Sequence, residues 1–456
     1  MTELAEKSLS AESATRRLTP ERALRMAIDL HQQNRLEEAE RLYRMLLEVW
    51  PESADVQHFF GFLRYQQGHV EEGIEWIGRA LEIDPDYIDA RNNLGNIYQQ
   101  TERYEQAEAC YREVIERSPR TTSAYANLGA TLMRLGRFDE AICAMNVAID
   151  GEPDSGRYHY ELGNAFRKKG ELANAIDAYQ KALAINPDDR ESFRTLSRLH
   201  YVTGNSERNC ELIEQWLQRK PDDALAVHLL SAYGSAPAPE RASDEFVRET
   251  FDRFAASFDG VLEKLDYRAP VLVEKVLREH SGAAAPVERL LDVGCGTGWC
   301  GPLLRPLTQR LEGLDLSSQM LARASERNVY DELHEAELTQ FLASAPQRYD
   351  VLACADTLCY FGDLSAPCRA AAIALRSGGR FAFTVERHEA TPSHPGSRLH
   401  EHGRYSHTEE YVRQVLEHSG FRILILETQD LRRELGKPVV GLLVVAERCD
   451  DERRPE

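Results

Sequence analysis

Two rhythms of apolar and polar positions divide the chain. In the first half, small and apolar residues return every 34 residues. Prolines stand at Pro51, Pro85, Pro119, Pro153, Pro187 and Pro221, and twelve residues before them stand Ala39, Gly73, Ala107, Ala141, Ala175 and Asn209. Gly61, Gly95, Gly129 and Gly163 keep the same period, each behind an apolar neighbour, and Gly68, Gly136, Gly170 and Gly204 mark turns. Such a period predicts a repeated helix-turn-helix unit that buries its apolar face only by stacking on its neighbours. In the second half, short apolar runs predict strands at 289–293, 310–314, 332–335, 350–353, 380–385, 422–426 and 439–446. Helical stretches separate the first six, so the expected fold is a mainly parallel sheet with helices on both faces. The last two strands join without a clear helix, and one of them is expected to run antiparallel.

Between the halves, residues 234–243 read Gly-Ser-Ala-Pro-Ala-Pro-Glu-Arg-Ala-Ser, rich in breakers and poor in large apolar residues. The expected organisation is a disordered tail over 1–20, about six repeats over 21–233, a linker over 234–243 and a second domain over 244–456. That domain opens with Phe251, Phe254 and Phe258 at three- and four-residue spacing, a helical stripe. The first repeat lacks a clear first-helix signature before residue 30. The last carries Asn209 and Trp216 where small residues stand elsewhere, so both read as capping repeats.

The second domain carries its chemistry at strand ends, where ligands of parallel sheets bind. Leu290-Leu-Asp-Val-Gly-Cys-Gly-Thr-Gly298 leads from the first strand into a glycine loop that lets a ligand approach the backbone. The second strand ends at Asp315, whose carboxylate suits two ribose hydroxyls. Gly296, Gly298 and Gly301 also satisfy the dinucleotide fingerprint, which leaves a nicotinamide oxidoreductase as an alternative. Asp292 directly before the glycines, the length remaining after the loop and acidic residues at later strand ends favour a different cofactor.

The repeat half resembles the tetratricopeptide repeat family. Residues 245–448 resemble class I S-adenosylmethionine-dependent methyltransferases, most closely those of bacteria already fused to such repeats. The resemblance implies an all-α repeat superhelix followed by a Rossmann-like, seven-stranded α/β domain that transfers a methyl group from S-adenosyl-L-methionine to an oxygen or nitrogen acceptor. By this likeness Asp292, Gly294, Cys295, Gly296 and Gly298 hold the methionine end of the cofactor. Asp315 holds the ribose, Leu316 packs on the adenine, Glu337 and Leu338 meet the adenine edge, and Asp356 faces the methionine amine. The phenylalanine stripe forms a lid. Tyr267, Arg268, Tyr360 and Arg404 are the expected substrate contacts. His407, with Tyr405, is the expected base in a segment, Gly403-Arg-Tyr-Ser-His407, lying over the cleft mouth. Glu386, His388, His394, His400 and His402 crowd the same stretch. His407 also reads as a residue that caps or packs on the following helix, with Ser406 or Thr408 as its N-cap. A cofactor-binding repeat scaffold without turnover is the other reading.

Composition narrows the partners. A formal net charge of −20 repels phosphate backbones and argues against nucleic acid. Nine cysteines without a CxxC pair indicate neither a zinc site nor a disulfide framework, and the histidine spacing matches no metal motif. No apolar run approaches the roughly 20 residues of a membrane span. The start MTELAEKSLSAESATRR has no secretory pattern, so a cytoplasmic protein is expected. The concave face of the repeats suits a protein partner or peptide segment, and self-association is equally open. Asn93 and Asn127 share one position there and Asn96 and Asn164 another. With Glu161 interrupting, they read as solvated helix residues before a peptide-binding ladder.

Overall fold

The computed structural model describes residues 19–234, 236–280, 286–434 and 436–449. The expected tail lies outside the described residues through residue 18. Contacts group the chain into two units, Met1–Thr203 and Gly204–Glu456.

The first unit is a run of helices: α1 (Pro20–Gln32), α2 (Leu36–Val49), α3 (Ala54–Gln66), α4 (Val70–Ile83), α5 (Ile88–Gln100), α6 (Tyr104–Arg117), α7 (Thr122–Arg134), α8 (Phe138–Gly151), α9 (Gly156–Lys169), α10 (Leu172–Ile185) and α11 (Arg190–Val202). The first repeat does have its first helix. Pro20 pre-sets the opening turn, and Ala23, Leu24, Ala27 and Leu30 form one buried stripe. Among the described residues this helix packs against the two helices that follow it, as befits a terminal repeat.

The 34-residue period is a packing rule. Ala39, Ala107, Ala141 and Ala175 are wholly buried. A Cβ at Gly163 would stand 2.6 Å from the Tyr179 ring, and one at Gly95 2.7 Å from Tyr111, so a glycine on one helix makes room for a tyrosine on the next. The turns take a left-handed residue at Gly68, Gly136 and Gly170. Where the period lacks glycine, Asn34 and Glu102 adopt the same conformation, at φ +59° and +61°. The asparagines are not free solvated residues. Asn127 Nδ2 donates to Asn96 Oδ1 at 3.1 Å, the Tyr179 hydroxyl donates to Asn164 Oδ1 at 2.9 Å, and Asn93 Nδ2 lies 2.9 Å from His58 Nε2.

The second unit opens with α12 (Ser206–Arg219), α13 (Ala224–Ala232), α14 (Asp244–Phe254), α15 (Phe258–Lys264) and α16 (Ala269–His280). Then follow β1 (Val287–Val293), α17 (Gly301–Leu304), β2 (Thr308–Asp315), α18 (Ser318–Glu326), β3 (Glu332–Glu335), α19 (Leu338–Ala343), β4 (Tyr349–Cys354), α20 (Ser365–Ala374) and β5 (Leu375–Arg387). The chain ends with β6 (Ser397–Leu399), β7 (Tyr405–His407), α21 (Glu409–His418), β8 (Phe421–Glu434) and β9 (Lys437–Arg448). The sheet runs β3-β2-β1-β4-β5, all parallel, and β5 pairs antiparallel with β9, which pairs antiparallel with β8.

Side-chain alternation along these strands sorts the core into two layers. Leu291, Val293, Leu352, Phe381, Phe383 and Val444 face α19, α20 and α21. Leu290, Leu311, Val351, Ala382, Leu443 and Val445 face α16. Both faces being covered explains why the strands read as continuous apolar runs.

Two short strands were not legible in sequence. β7 pairs parallel with the end of β5 and antiparallel with β6. Residues Tyr405–His407 are therefore part of the sheet, where their backbone pairs with β5 and β6. Helices α12 and α13, in register with the repeats by sequence, pack within the second unit. His228 Nε2 lies 2.8 Å from the Gly403 carbonyl oxygen, and its ring stacks on Phe246 at 4.2 Å.

Candidate functional site

The carboxyl ends of β3, β2, β1 and β4 lie side by side, and each delivers a carboxylate or a glycine turn. Register places Val293 opposite Leu314 and Asp315 opposite Glu335. The loop Gly294–Gly298 therefore lies beside Asp315. Asp315 Oδ2 accepts from the Gly296 amide at 2.8 Å and Oδ1 from the Ser317 amide at 2.9 Å, which orients the carboxylate while leaving lone pairs for a ligand. Burial raises its pKa from the usual carboxylate range, and these backbone donors oppose that rise.

The glycines divide their work. A Cβ at Gly294 would fall on the Thr357 side chain. One at Gly298 would meet the Tyr330 ring at 2.9 Å. Only at Gly296 is the nearest atom at ordinary contact distance, Phe258 Cε1 at 3.7 Å. The loop thus opens at Gly296 alone, under the aromatic ring that begins α15.

Asp292 stands at the end of β1, just before the loop. It is 1% exposed, and its Oδ2 accepts from the Tyr330 hydroxyl at 2.7 Å. Burial pushes its pKa up to about 7. Its visible task is to hold Tyr330 under the loop. Cys295 is also buried, which drives its thiol pKa well above the usual range.

At the end of β3, Glu337 caps α19: its Oε2 accepts from the Gln340 amide at 2.9 Å. Its Oε1 is buried without a hydrogen-bond partner among the described residues. Leu338 is buried beside it and Leu316 is half-buried. Asp356 follows β4 at φ +58°, a left-handed conformation costly for a residue with a Cβ. Its amide donates to Thr384 Oγ1 at 2.9 Å and its Oδ2 accepts from Arg432, while Oδ1 is buried without a partner. Buried carboxylate oxygens in native structures are nearly always paired, so the two orphans are acceptors awaiting donors.

The phenylalanine stripe lies against this edge. The Phe251 ring meets Phe258 and Tyr360 edge-on, at 6.0 and 5.5 Å. Ser317 Oγ donates to Asp252 at 2.5 Å, Thr297 Oγ1 donates to Asp259 at 2.5 Å, and Arg327 pairs with Asp259. Both helices, α14 and α15, are therefore latched to loops after β1 and β2.

Three of the four expected substrate contacts, Tyr267, Tyr360 and Arg404, gather around Asp356 and Arg432. Tyr267 lies beside Asp356 and Arg432, and burial drives its pKa well up. Arg268 is exposed, with its amide donating to the Leu431 carbonyl at 2.8 Å. Arg404 joins a buried ion network: its Nε donates to Glu386 at 2.7 Å and it pairs with Glu434. Tyr405 is 1% exposed and its hydroxyl donates to the Pro239 carbonyl at 2.7 Å. His407 is fully buried and stacks on Tyr411, with burial lowering its pKa to about 4. Tyr405 and His407 point to the same side of β7, and both side chains are buried. Thr408, and not Ser406, caps α21.

Three contributors escaped the sequence: Tyr330, Thr357 and Arg432. Each acts through distant chain segments and belongs to no local motif. Away from the site, Glu312, Glu332 and His334 come together, but Arg310 and Arg348 already engage Glu312 at 2.8 and 2.7 Å.

Comparison with known proteins agrees with this architecture. Residues 261–426 match a family described as a methyltransferase domain. Residues 86–154, 132–190 and 160–224 match families described as tetratricopeptide repeat, and 61–102 one described as TPR repeat. The ubiquinone biosynthesis O-methyltransferase of Xanthomonas campestris pv. campestris (strain B100) is 28% identical over 162 residues, 33% of this chain and 66% of that protein. Its namesake in Sodalis glossinidius (strain morsitans) is 27% identical over 165 residues, 34% of this chain and again 66% of that protein. The chain thus spans slightly less than two thirds of the length of these relatives. Among solved structures, Pseudomonas aeruginosa pilF is similar at a TM-score of 0.39 and 18% identity, over 45% of this chain and 93% of that one. The family matches together make this chain a fusion of tetratricopeptide repeats with a methyltransferase domain.

Proposed function

We propose that the second unit binds S-adenosyl-L-methionine and transfers its methyl group to an acceptor hydroxyl or amine. The observation that carries this reading is the pair of buried oxygens without a partner among the described residues, Glu337 Oε1 after β3 and Asp356 Oδ1 after β4, which flank Asp315 and the β1 glycine loop along the order β3-β2-β1-β4. Three acceptors in that order suit a ligand with an amino-bearing base, a ribose diol and an ammonium. Glu337 Oε1 would accept from the adenine amino group, Asp315 from the ribose hydroxyls, and Asp356 Oδ1 from the ammonium. Gly296 leaves the room the ligand needs beside the backbone.

When bound, this cofactor supplies a methyl group already activated by a sulfonium. The chain has then to orient the acceptor and exclude water. Phe251, Phe258 and Tyr360 form an aromatic cover suited to the second task. The likeness to O-methyltransferases favours a hydroxyl acceptor. The repeats would recruit a protein or peptide segment through their concave face.

Calorimetric titration with S-adenosyl-L-methionine tests the binding. Asp315→Ala should lower affinity by about a hundredfold and Glu337→Gln by about tenfold, the scale of lost charged and neutral hydrogen bonds. Labelled methyl groups from the cofactor should pass to an acceptor in a cell extract, and should not with Asp315→Ala. Equal affinity in all three proteins would sink the reading, as would tight binding of NAD alone.

A further inference from the structure

Arg432 sits at an irregularity in the last hairpin. The β8–β9 register shifts between Asp430 and Arg432. Leu431 is fully buried there, over Gly441, where any Cβ would overlap it. The bulge turns Arg432 toward the ends of β4 and β5, and its side chain is 3% exposed. Its three nitrogens divide among three carboxylates. Nη1 donates to Asp356 Oδ2 at 2.5 Å, Nη2 to Glu386, and Nε to Glu434 Oε1 at 2.7 Å.

We propose that Arg432 is the positioning residue for Asp356, holding one carboxylate oxygen so that the other is presented to the cofactor's ammonium. The inference rests on the cofactor reading above. Asp356 has left-handed backbone and an amide tied to Thr384, so its side chain has little freedom except rotation about its own bonds. The guanidinium removes that freedom. A planar fork can satisfy three acceptors at once, which an ammonium on a flexible stem does less well. The balance of charge points the same way. Arg432 and Arg404 face Asp356, Glu386 and Glu434, leaving one carboxylate uncompensated in a closed space. A cationic ligand group at Asp356 Oδ1 would complete the pairing.

Removing the guanidinium would leave Asp356 facing Glu386 with only Arg404 between the acids, while Tyr267, Cys359, Tyr360 and His402 around them carry no positive charge near neutrality. Burial already raises the Asp356 pKa, and Arg432 is the largest opposing influence. Without it the carboxyl would take up a proton nearer neutral pH and lose its hold on a cation.

The test is calorimetric titration of the full chain with S-adenosyl-L-methionine, from about pH 6 to about pH 9. Relative to the native chain, Arg432→Gln should bind about tenfold or more weakly at pH 7, and the ratio should narrow as pH rises. Arg432→Lys should fall between the two. Adding Arg432→Gln to Asp356→Asn should change affinity no more than about twofold. Unchanged affinity and pH profile in a folded Arg432→Gln overturns the inference. So does a loss that is equal at every pH and persists in the Asp356→Asn background, since that marks a purely structural role. If thermal unfolding shows Arg432→Gln unfolded, Arg432→Lys decides: a shifted pH profile supports the inference and an unshifted one overturns it. No binding by the native chain would instead overturn the cofactor reading itself, and this inference with it.

Discussion

The Tyr330 hydroxyl donates to Asp292 Oδ2 at 2.7 Å, and this bond plants a phenol ring beneath the glycine loop. Gly298 and Gly301 leave room for that ring, with built Cβ atoms at 2.9 Å from it in both cases. Loop shape therefore depends on a contact between the end of β1 and the residue two before β3. Tyr330→Phe removes the bond and should cost about 2 kcal/mol at pH 8, where Asp292 is ionised, and less at pH 5. The carboxyl pKa is raised to about 7 in the folded chain. Between about pH 4 and pH 7 the folded chain holds a proton that the unfolded chain has lost, so this group lowers stability as pH rises through that window. Asp292→Asn should abolish that contribution, on the order of 4 kcal/mol, in urea unfolding followed across pH.

His407 gives the opposite sign. Its pKa is lowered to about 4 by burial, so the unfolded chain takes up a proton between about pH 6.5 and pH 4 that the folded chain refuses. Stability from this residue is complete above pH 6.5 and lost as pH falls. His407→Phe should flatten the acid limb of the unfolding curve. It should also leave the methyl-transfer rate within about threefold at pH 8, whereas loss of a general base costs about 100-fold or more. A rate loss of that size would return His407 to the chemistry.

Gly294 and Gly296 stand two residues apart and should respond differently to alanine. At Gly294, with φ +72°, the new methyl would overlap Thr357, and unfolding should be eased by about 3 kcal/mol. At Gly296 only the left-handed backbone is strained, at about 1 kcal/mol, because Phe258 is 3.7 Å away. Gly296→Ala should stay folded and lose cofactor affinity in calorimetry. A Gly296→Ala chain with native affinity would show that the ligand lies elsewhere.

In the repeat array, Glu102 occupies the turn position at φ +61° that glycine fills at Gly68, Gly136 and Gly170. Glu102→Gly should relieve left-handed strain and stabilise the array by about 0.5–1 kcal/mol after the added freedom of the unfolded chain is counted. The same change at the right-handed Gln99, inside α5, should destabilise by about 1 kcal/mol. Thermal unfolding of the two variants checks the contrast.

Much of the architecture was written locally. The helix pairs followed from a period of 34 because each unit makes the same contacts with its neighbours, so the same small residue is needed at the same place each time. The strand ends followed from apolar runs closed by glycine or a carboxylate, because a parallel sheet covered on both faces leaves its chemistry at one edge. The strand-end places of Asp315, Glu337 and Asp356 were legible for that reason. Tyr330 and Arg432 were not, and the sequence left His407 open between a base and a residue packed on the following helix. Their places depend on pairings between segments far apart in the chain: β5 with β7, β8 with β9, and the phenol of one loop with the carboxylate of another. Side-chain direction in a sheet reverses with each residue of register, and a bulge reverses it again, so only the folded sheet decided which of these residues face the site.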